Sequence, residues 1–171
     1  LPNGVDCDGF AEGDAAAFRA AHDIGPDRRV VLCVSRIDYQ KNQIGLVEAL
    51  ARVREQVPQV HLVLVGPVTV AAYQERLLAR VQDLGLSEQV TLVPGLRPDD
   101  PMLPAAYHAA EVFCLPSLHE PFGIVILEAW AAGRPVVAAR VGGIPSFTRD
   151  GEDIVHAASG DTDDLAARLL K

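Results

Sequence analysis

Residues 120–137 read Glu-Pro-Phe-Gly-Ile-Val-Ile-Leu-Glu-Ala-Trp-Ala-Ala-Gly-Arg-Pro-Val-Val. Their order is that of a loop, a helix, a break and a strand. Pro121 fixes its own φ, and Gly123 lets the backbone approach another group closely. The run 124–132 is apolar at every position but Glu128 and stops at Gly133, as a largely buried helix does. The backbone N–H groups of Phe122, Gly123, Ile124 and Val125 open that helix with no preceding turn to accept them, so they face an anion placed there. Two carboxylates, Glu120 and Glu128, bracket this segment. The arrangement suits a ligand with a charged diphosphate between hydroxyl-rich ends.

Working outward, short Val- and Leu-rich runs recur at 30–34, 60–65, 90–93, 112–115 and 135–139. They do not alternate with polar residues, which marks strands buried on both faces of a parallel sheet. Between most of them lie amphipathic stretches that predict helices over 14–22, 43–57, 70–84, 124–132 and 161–170, with a short helix or two turns over 99–110 and one further turn over 145–149. Asn42 is the expected N-cap of the 43–57 helix and Pro58 its stop. Strand–helix alternation predicts an α/β fold, a single Rossmann-like doubly wound parallel sheet of about six strands flanked by helices. No repeat, linker or low-complexity segment interrupts the 171 residues, so one domain over 1–171 is expected. The opening turn at Leu1-Pro2-Asn3-Gly4-Val5-Asp6, and an end at Lys171 in the last turn of a helix, read as a piece cut from a longer protein.

Composition narrows the function. With 15 basic and 23 acidic residues the net charge is −8, which argues against nucleic acid as the main partner but not against one bound phosphate group. No apolar run reaches membrane-spanning length, and the N-terminus lacks the layout of a signal peptide. Cys7, Cys33 and Cys114 form neither a disulfide framework nor a zinc pattern. Cys33 and Cys114 sit in strand-like runs as small hydrophobes, in keeping with a reducing cytoplasm.

Ligands of open α/β sheets sit beyond the carboxyl ends of the strands, and three such loops stand out. After 30–34 comes Ser35-Arg36-Ile37-Asp38-Tyr39-Gln40-Lys41-Asn42, where Arg36 and Lys41 flank a turn into a helix. They read either as an anion site or as two solvated surface charges. No Gly-x-Gly-x-x-Gly occurs there, which counts against a dinucleotide site. After 112–115 comes the loop that carries His119, taken as incidental, and Glu120. Glu120 reads either as a ligand contact or as a charge on the helix dipole. Glu128 lies among apolar neighbours, where a carboxylate calls for a partner or a ligand. After 135–139 comes Arg140-Val141-Gly142-Gly143-Ile144-Pro145, a place for close backbone approach or an ordinary loop.

These motifs together resemble the C-terminal, donor-binding domain of a retaining GT-B glycosyltransferase of family 4. The resemblance runs from Pro2-Asn3-Gly4-Val5-Asp6 through Arg36 and Lys41, Glu120-Pro121-Phe122-Gly123 with Glu128-Ala129, Gly133-Arg134-Pro135-Val136-Val137 and Gly142-Gly143. The paired glutamates are its most specific part. Ser35 departs from the glycine often found before the arginine.

The resemblance implies roles. Arg36 and Lys41 would grip the donor diphosphate, and with Glu120 form the catalytic group. The N–H groups of Ile124 and Val125 would meet phosphate oxygens, and those of Phe122 and Gly123 sugar hydroxyls. Glu120 would bind the sugar and Glu128 the ribose. The implied donor is a UDP-, GDP- or ADP-sugar, with the base near Gly66 and Val93-Pro94-Gly95. No cofactor or metal is implied, since no Asp-x-Asp is present and the two cations can take a divalent ion's part. The implied partner is an N-terminal GT-B domain that holds the acceptor, so this chain alone would bind nucleotide and turn over little or nothing. A non-catalytic nucleotide-sugar binding module, or a GT-B-like epimerase or phosphorylase domain, are the competing readings.

Overall fold

The computed structural model describes residues 4–171. Leu1, Pro2 and Asn3, with the turn expected there, lie outside the described residues. Among the described residues six strands form one sheet: β1 Arg29–Val34, β2 Val60–Val65, β3 Val90–Val93, β4 Val112–Leu115, β5 Val136–Ala139 and β6 Val155–Ala157. Every pairing is parallel, and the order is β3-β2-β1-β4-β5-β6. The helices are α1 Cys7–Ala11, α2 Ala15–Ala21, α3 Gln43–Gln56, α4 Ala71–Asp83, α5 Met102–Ala109, α6 Ile124–Ala131 and α7 Thr162–Leu169. None is long and apolar enough to cross a membrane.

The Val-rich runs become strands because helices cover both faces of the sheet, leaving every residue of β2 and β5 buried. Successive side chains alternate between faces. Leu32, Val63 and Phe113 join one core with Phe10 of α1, Phe18 of α2, Tyr107 of α5 and Ile126 of α6. Val31, Cys33, Leu62 and Cys114 join the other with Leu46 and Leu50 of α3, Leu77 of α4 and Leu165 of α7. Each fully buried leucine contributes about 1.5–3 kcal/mol of burial. His61 interrupts β2 at 5% exposure and is accommodated because its Nε2 meets Thr91 Oγ1 at 2.8 Å.

One local expectation is corrected. Asn42 stands at the N-cap of α3 but with φ 53° and no side-chain cap bond. It instead closes a 3-10 turn over Tyr39–Lys41, and Tyr73 Oη accepts the Ile44 N–H at 3.1 Å in its place. The short helix or two turns expected over 99–110 is a turn, in which Asp100 accepts the Met102 N–H at 2.9 Å, followed by the short helix α5. Two elements lay outside the sequence pattern. α1 is only five residues long and is held by Asp6 accepting the Gly9 N–H, and β6 is three residues, one of them His156.

Candidate functional site

The sheet order reverses between β1 and β4, which are neighbours although the chain builds two more strands between them. Their pairing covers only Val31↔Val112 and Leu32↔Phe113. The loops after both strands flank one crevice, the usual ligand position in this architecture.

The β1 loop is held from below by buried polar groups. Ile37, 1% exposed, anchors it, with its N–H donating to Pro67 O at 2.9 Å. Asp38, 6% exposed, accepts the Gln40 N–H at 2.9 Å and faces Arg36 Nη2 and Thr69 Oγ1, each at 3.4 Å. Gln43 is fully buried and donates Nε2 to Arg36 O at 2.8 Å and to Ser35 Oγ at 2.9 Å. Gly66 is indispensable here, since a Cβ on it would lie 1.9 Å from Ser35 O.

The β4 loop is tied to the first. The Leu118 N–H donates to Gln40 O at 2.7 Å. Lys41 Nζ donates to Glu120 Oε2 at 2.8 Å, with both side chains nearly buried, and Ser117 Oγ reaches the same carboxylate oxygen at 3.4 Å. On its far side Gly143 donates its N–H to Glu120 O at 3.0 Å. Cβ atoms at Gly142 and Gly143 would lie 1.9 Å from Glu120 O and 2.1 Å from Pro121 O. The close approach that the glycine pair permits is therefore made to the acidic loop itself.

Between the loops lies an open pocket of 190 Å³ whose walls include Arg36, Lys41, Glu120, Gly123, Ile124 and Val125. Gly123 is the N-cap of α6 and gives no side-chain cap, which leaves the first N–H groups of the helix available. The pocket thus joins two cations and helix donors, with the Glu120 carboxylate engaged by Lys41. A larger groove of 810 Å³ between α1, α2 and the turn before α5 is lined by five carboxylates and no basic side chain, which makes it unsuited to an anion. No group of three His, Cys, Asp or Glu side chains among the described residues is placed to hold a metal ion.

Two expected site residues do not line this pocket. The Phe122 ring stacks on Phe147 at 4.8 Å with 21° between planes. Glu128 lies ~6 Å further along α6 and is half-buried, and its Oε2 accepts from Tyr107 Oη at 2.6 Å. Burial pushes the Glu128 carboxyl above its ordinary range, and the Tyr107 hydroxyl pulls it back. Burial and then the Glu128 charge push the Tyr107 hydroxyl well above 10, so it stays a donor. Sequence reasoning missed Asp38, Gln43, Ser117 and Tyr107. Their signal was that of polar groups inside apolar or turn segments, which the chain must satisfy if it buries them.

The sequence profile of the glycosyl transferases group 1 family matches residues 14–171. The chain is 41% identical over 150 residues to a D-inositol 3-phosphate glycosyltransferase of Mycobacterium sp. (strain KMS), covering 86% of this chain and 33% of that protein. It is 41% identical over 161 residues to a GDP-mannose-dependent alpha-(1-6)-phosphatidylinositol monomannoside mannosyltransferase of Mycolicibacterium smegmatis, covering 89% of this chain and 41% of that one. The crystal structure of Anabaena HepE in complex with UDP and glucose superposes with a TM-score of 0.88 at 29% identity, covering 98% of this chain and 45% of that chain. The fold is therefore the α/β Rossmann-like half of a GT-B architecture. The chain belongs to the glycosyl transferases group 1 family, and it spans well under half the length of the relatives it matches.

Proposed function

We propose that this chain is the donor-binding domain of a retaining glycosyltransferase, which moves a hexose from a nucleoside-diphosphate-sugar to an acceptor. The acceptor would sit on an N-terminal GT-B domain of the same full-length protein. One observation carries the reading: Arg36, Lys41, Glu120 and the N-terminus of α6 meet in one pocket at the β1/β4 crevice. The names of the relatives support it, with GDP-mannose in one and a bound UDP-glucose in HepE.

In this reading the diphosphate lies against Arg36, Lys41 and the N–H groups of Ile124 and Val125. Cleavage of the glycosyl–phosphate bond builds positive charge on the sugar ring and negative charge on the departing phosphate. Cations and helix donors fixed in advance stabilise that phosphate without a metal ion. Lys41 has three N–H donors, so one can stay on Glu120 while the others reach phosphate. Glu120, steadied by Lys41 and Ser117, faces the sugar, together with the N–H groups of Phe122 and Gly123. Glu128 accepts from the ribose hydroxyls. The chain alone binds nucleotide and transfers little or no sugar, and the whole protein works in the cytoplasm.

The test is a titration of the chain with UDP, GDP and ADP and with the parent nucleosides. Lys41→Ala is expected to weaken diphosphate binding far more than nucleoside binding, and Glu128→Ala to weaken nucleoside binding. Two variants that bind every nucleotide like the parent would overturn the site.

A further inference from the structure

Tyr107 has no part in the site as expected from sequence, yet it is the partner of Glu128. We propose that Tyr107 is the positioning residue that aims the Glu128 carboxylate at the ribose, and so sets how strongly the chain distinguishes nucleotides with a ribose diol from those without. The proposal rests on the assignment of Glu128 to the ribose.

Three observations carry it. Tyr107 is 0% exposed, so its hydroxyl has no bulk water to turn to, and its hydrogen bond at 2.6 Å goes to Glu128. Its ring packs against Phe10 at 5.4 Å and 83° and against Phe113 at 5.6 Å. The O–H direction is thereby fixed by α1 and β4, not by the ligand. Glu128 is flanked by Leu127, Ala129 and Trp130 on an apolar helix. Without a fixed donor, a carboxylate there has every reason to swing to solvent or to take up a proton.

The stoichiometry also fits. A carboxylate offers about four lone-pair positions, and a tyrosine hydroxyl supplies one hydrogen. Tyr107 therefore fixes one oxygen and leaves enough acceptor capacity for both hydroxyls of a vicinal diol. Holding an acceptor in place before binding is how a site acquires discrimination against a ligand that lacks the matching hydroxyl.

The experiment titrates the chain with UDP and GDP and with their 2′,3′-dideoxy counterparts, and reads the ratio of the two affinities. Wild type is expected to favour the ribose form. Glu128→Ala is expected to erase that preference. Tyr107→Phe keeps the ring and its packing, and is expected to lower the preference by roughly tenfold, the factor one hydrogen bond to a charged group carries. Its affinity for the dideoxy form should stay at the parental value, and adding Tyr107→Phe to Glu128→Ala should change nothing more. If Glu128→Ala erases the preference and Tyr107→Phe leaves it intact, the positioning role is wrong and the assignment of Glu128 stands. Equal weakening of both nucleotide forms by Tyr107→Phe would assign Tyr107 to packing and likewise overturn the proposal. If Glu128→Ala itself leaves the preference untouched, or the parent binds neither nucleotide, the underlying assignment fails.

Discussion

Lys41 Nζ and Glu120 Oε2, 79 residues apart in the chain, meet at 2.8 Å with side-chain exposures of 12% and 10%. The pair joins the loop after β1 to the loop after β4. Removing one partner of such a pair strands the other charge in a poorly solvated place.

Glu120→Ala and Lys41→Ala are therefore each expected to destabilise the chain by about 3 kcal/mol. The double variant should cost less than the two together, with a coupling of about 1–3 kcal/mol. Urea unfolding of the four proteins measures it. Strict additivity would mean that the pair is not formed in solution.

Asp38 organises the β1 loop without lining the pocket. Asp38→Ala loses the acceptor for the Gln40 N–H and should cost about 1–2 kcal/mol, the usual value of a lost side-chain cap. Asp38→Asn keeps an oxygen for that N–H and should recover part of the loss. Equal unfolding midpoints for the two variants would place the effect in the charge and not in the cap.

Gly142 and Gly151 both have positive φ, 57° and 78°. A Cβ on Gly151 meets nothing within 4 Å, while one on Gly142 lies 1.9 Å from Glu120 O. Gly151→Ala should pay only the left-handed backbone cost of about 1–2 kcal/mol. Gly142→Ala must also push the acidic loop away, and is expected to cost at least about 3 kcal/mol and to weaken nucleotide binding. Thermal unfolding and titration with UDP and GDP compare the two.

His61 links stability to pH. Burial, then the charges of Arg28 and Arg19, push its imidazole from 6.5 down to about 4. Between those values the unfolded chain holds a proton that the folded chain refuses. Stability from this residue is complete above pH 6.5 and is lost as pH falls toward 4, by on the order of 3 kcal/mol. The difference between wild type and His61→Leu, followed by urea unfolding across that range, should show this slope in wild type alone. Parallel profiles would refute it.

The sheet was legible because a strand covered on both faces must be apolar at every position, and β1 to β5 are nearly so. β6 was not, because three residues with His156 among them carry no periodic signal. The loops that hold Arg36, Lys41, Glu120 and Gly123 could be read from turn residues and charge. Their juxtaposition was expected from the family resemblance and not from local pattern, since it depends on β1 and β4 being neighbours across a long gap in sequence. Asn42 misled for a physical reason: asparagine serves both as a helix cap and in the left-handed region, and here the preceding 3-10 turn claims it for the second. Tyr107 was hidden because an aromatic in an apolar helix is read as core, which it also is.

The reversal of strand order at β1 and β4 divides the labour of the pocket between two halves of the polypeptide. Both cations come from the segment before the exposed turn at Arg97 to Asp99, and the acid and the α6 donors from the segment after it. A chain severed in that turn would leave two pieces, each with one half of the proposed diphosphate cradle. Recovery of nucleotide affinity on mixing them would then report reassembly of the sheet along the β1–β4 seam, which makes ligand capture a measure of whether this fold has closed.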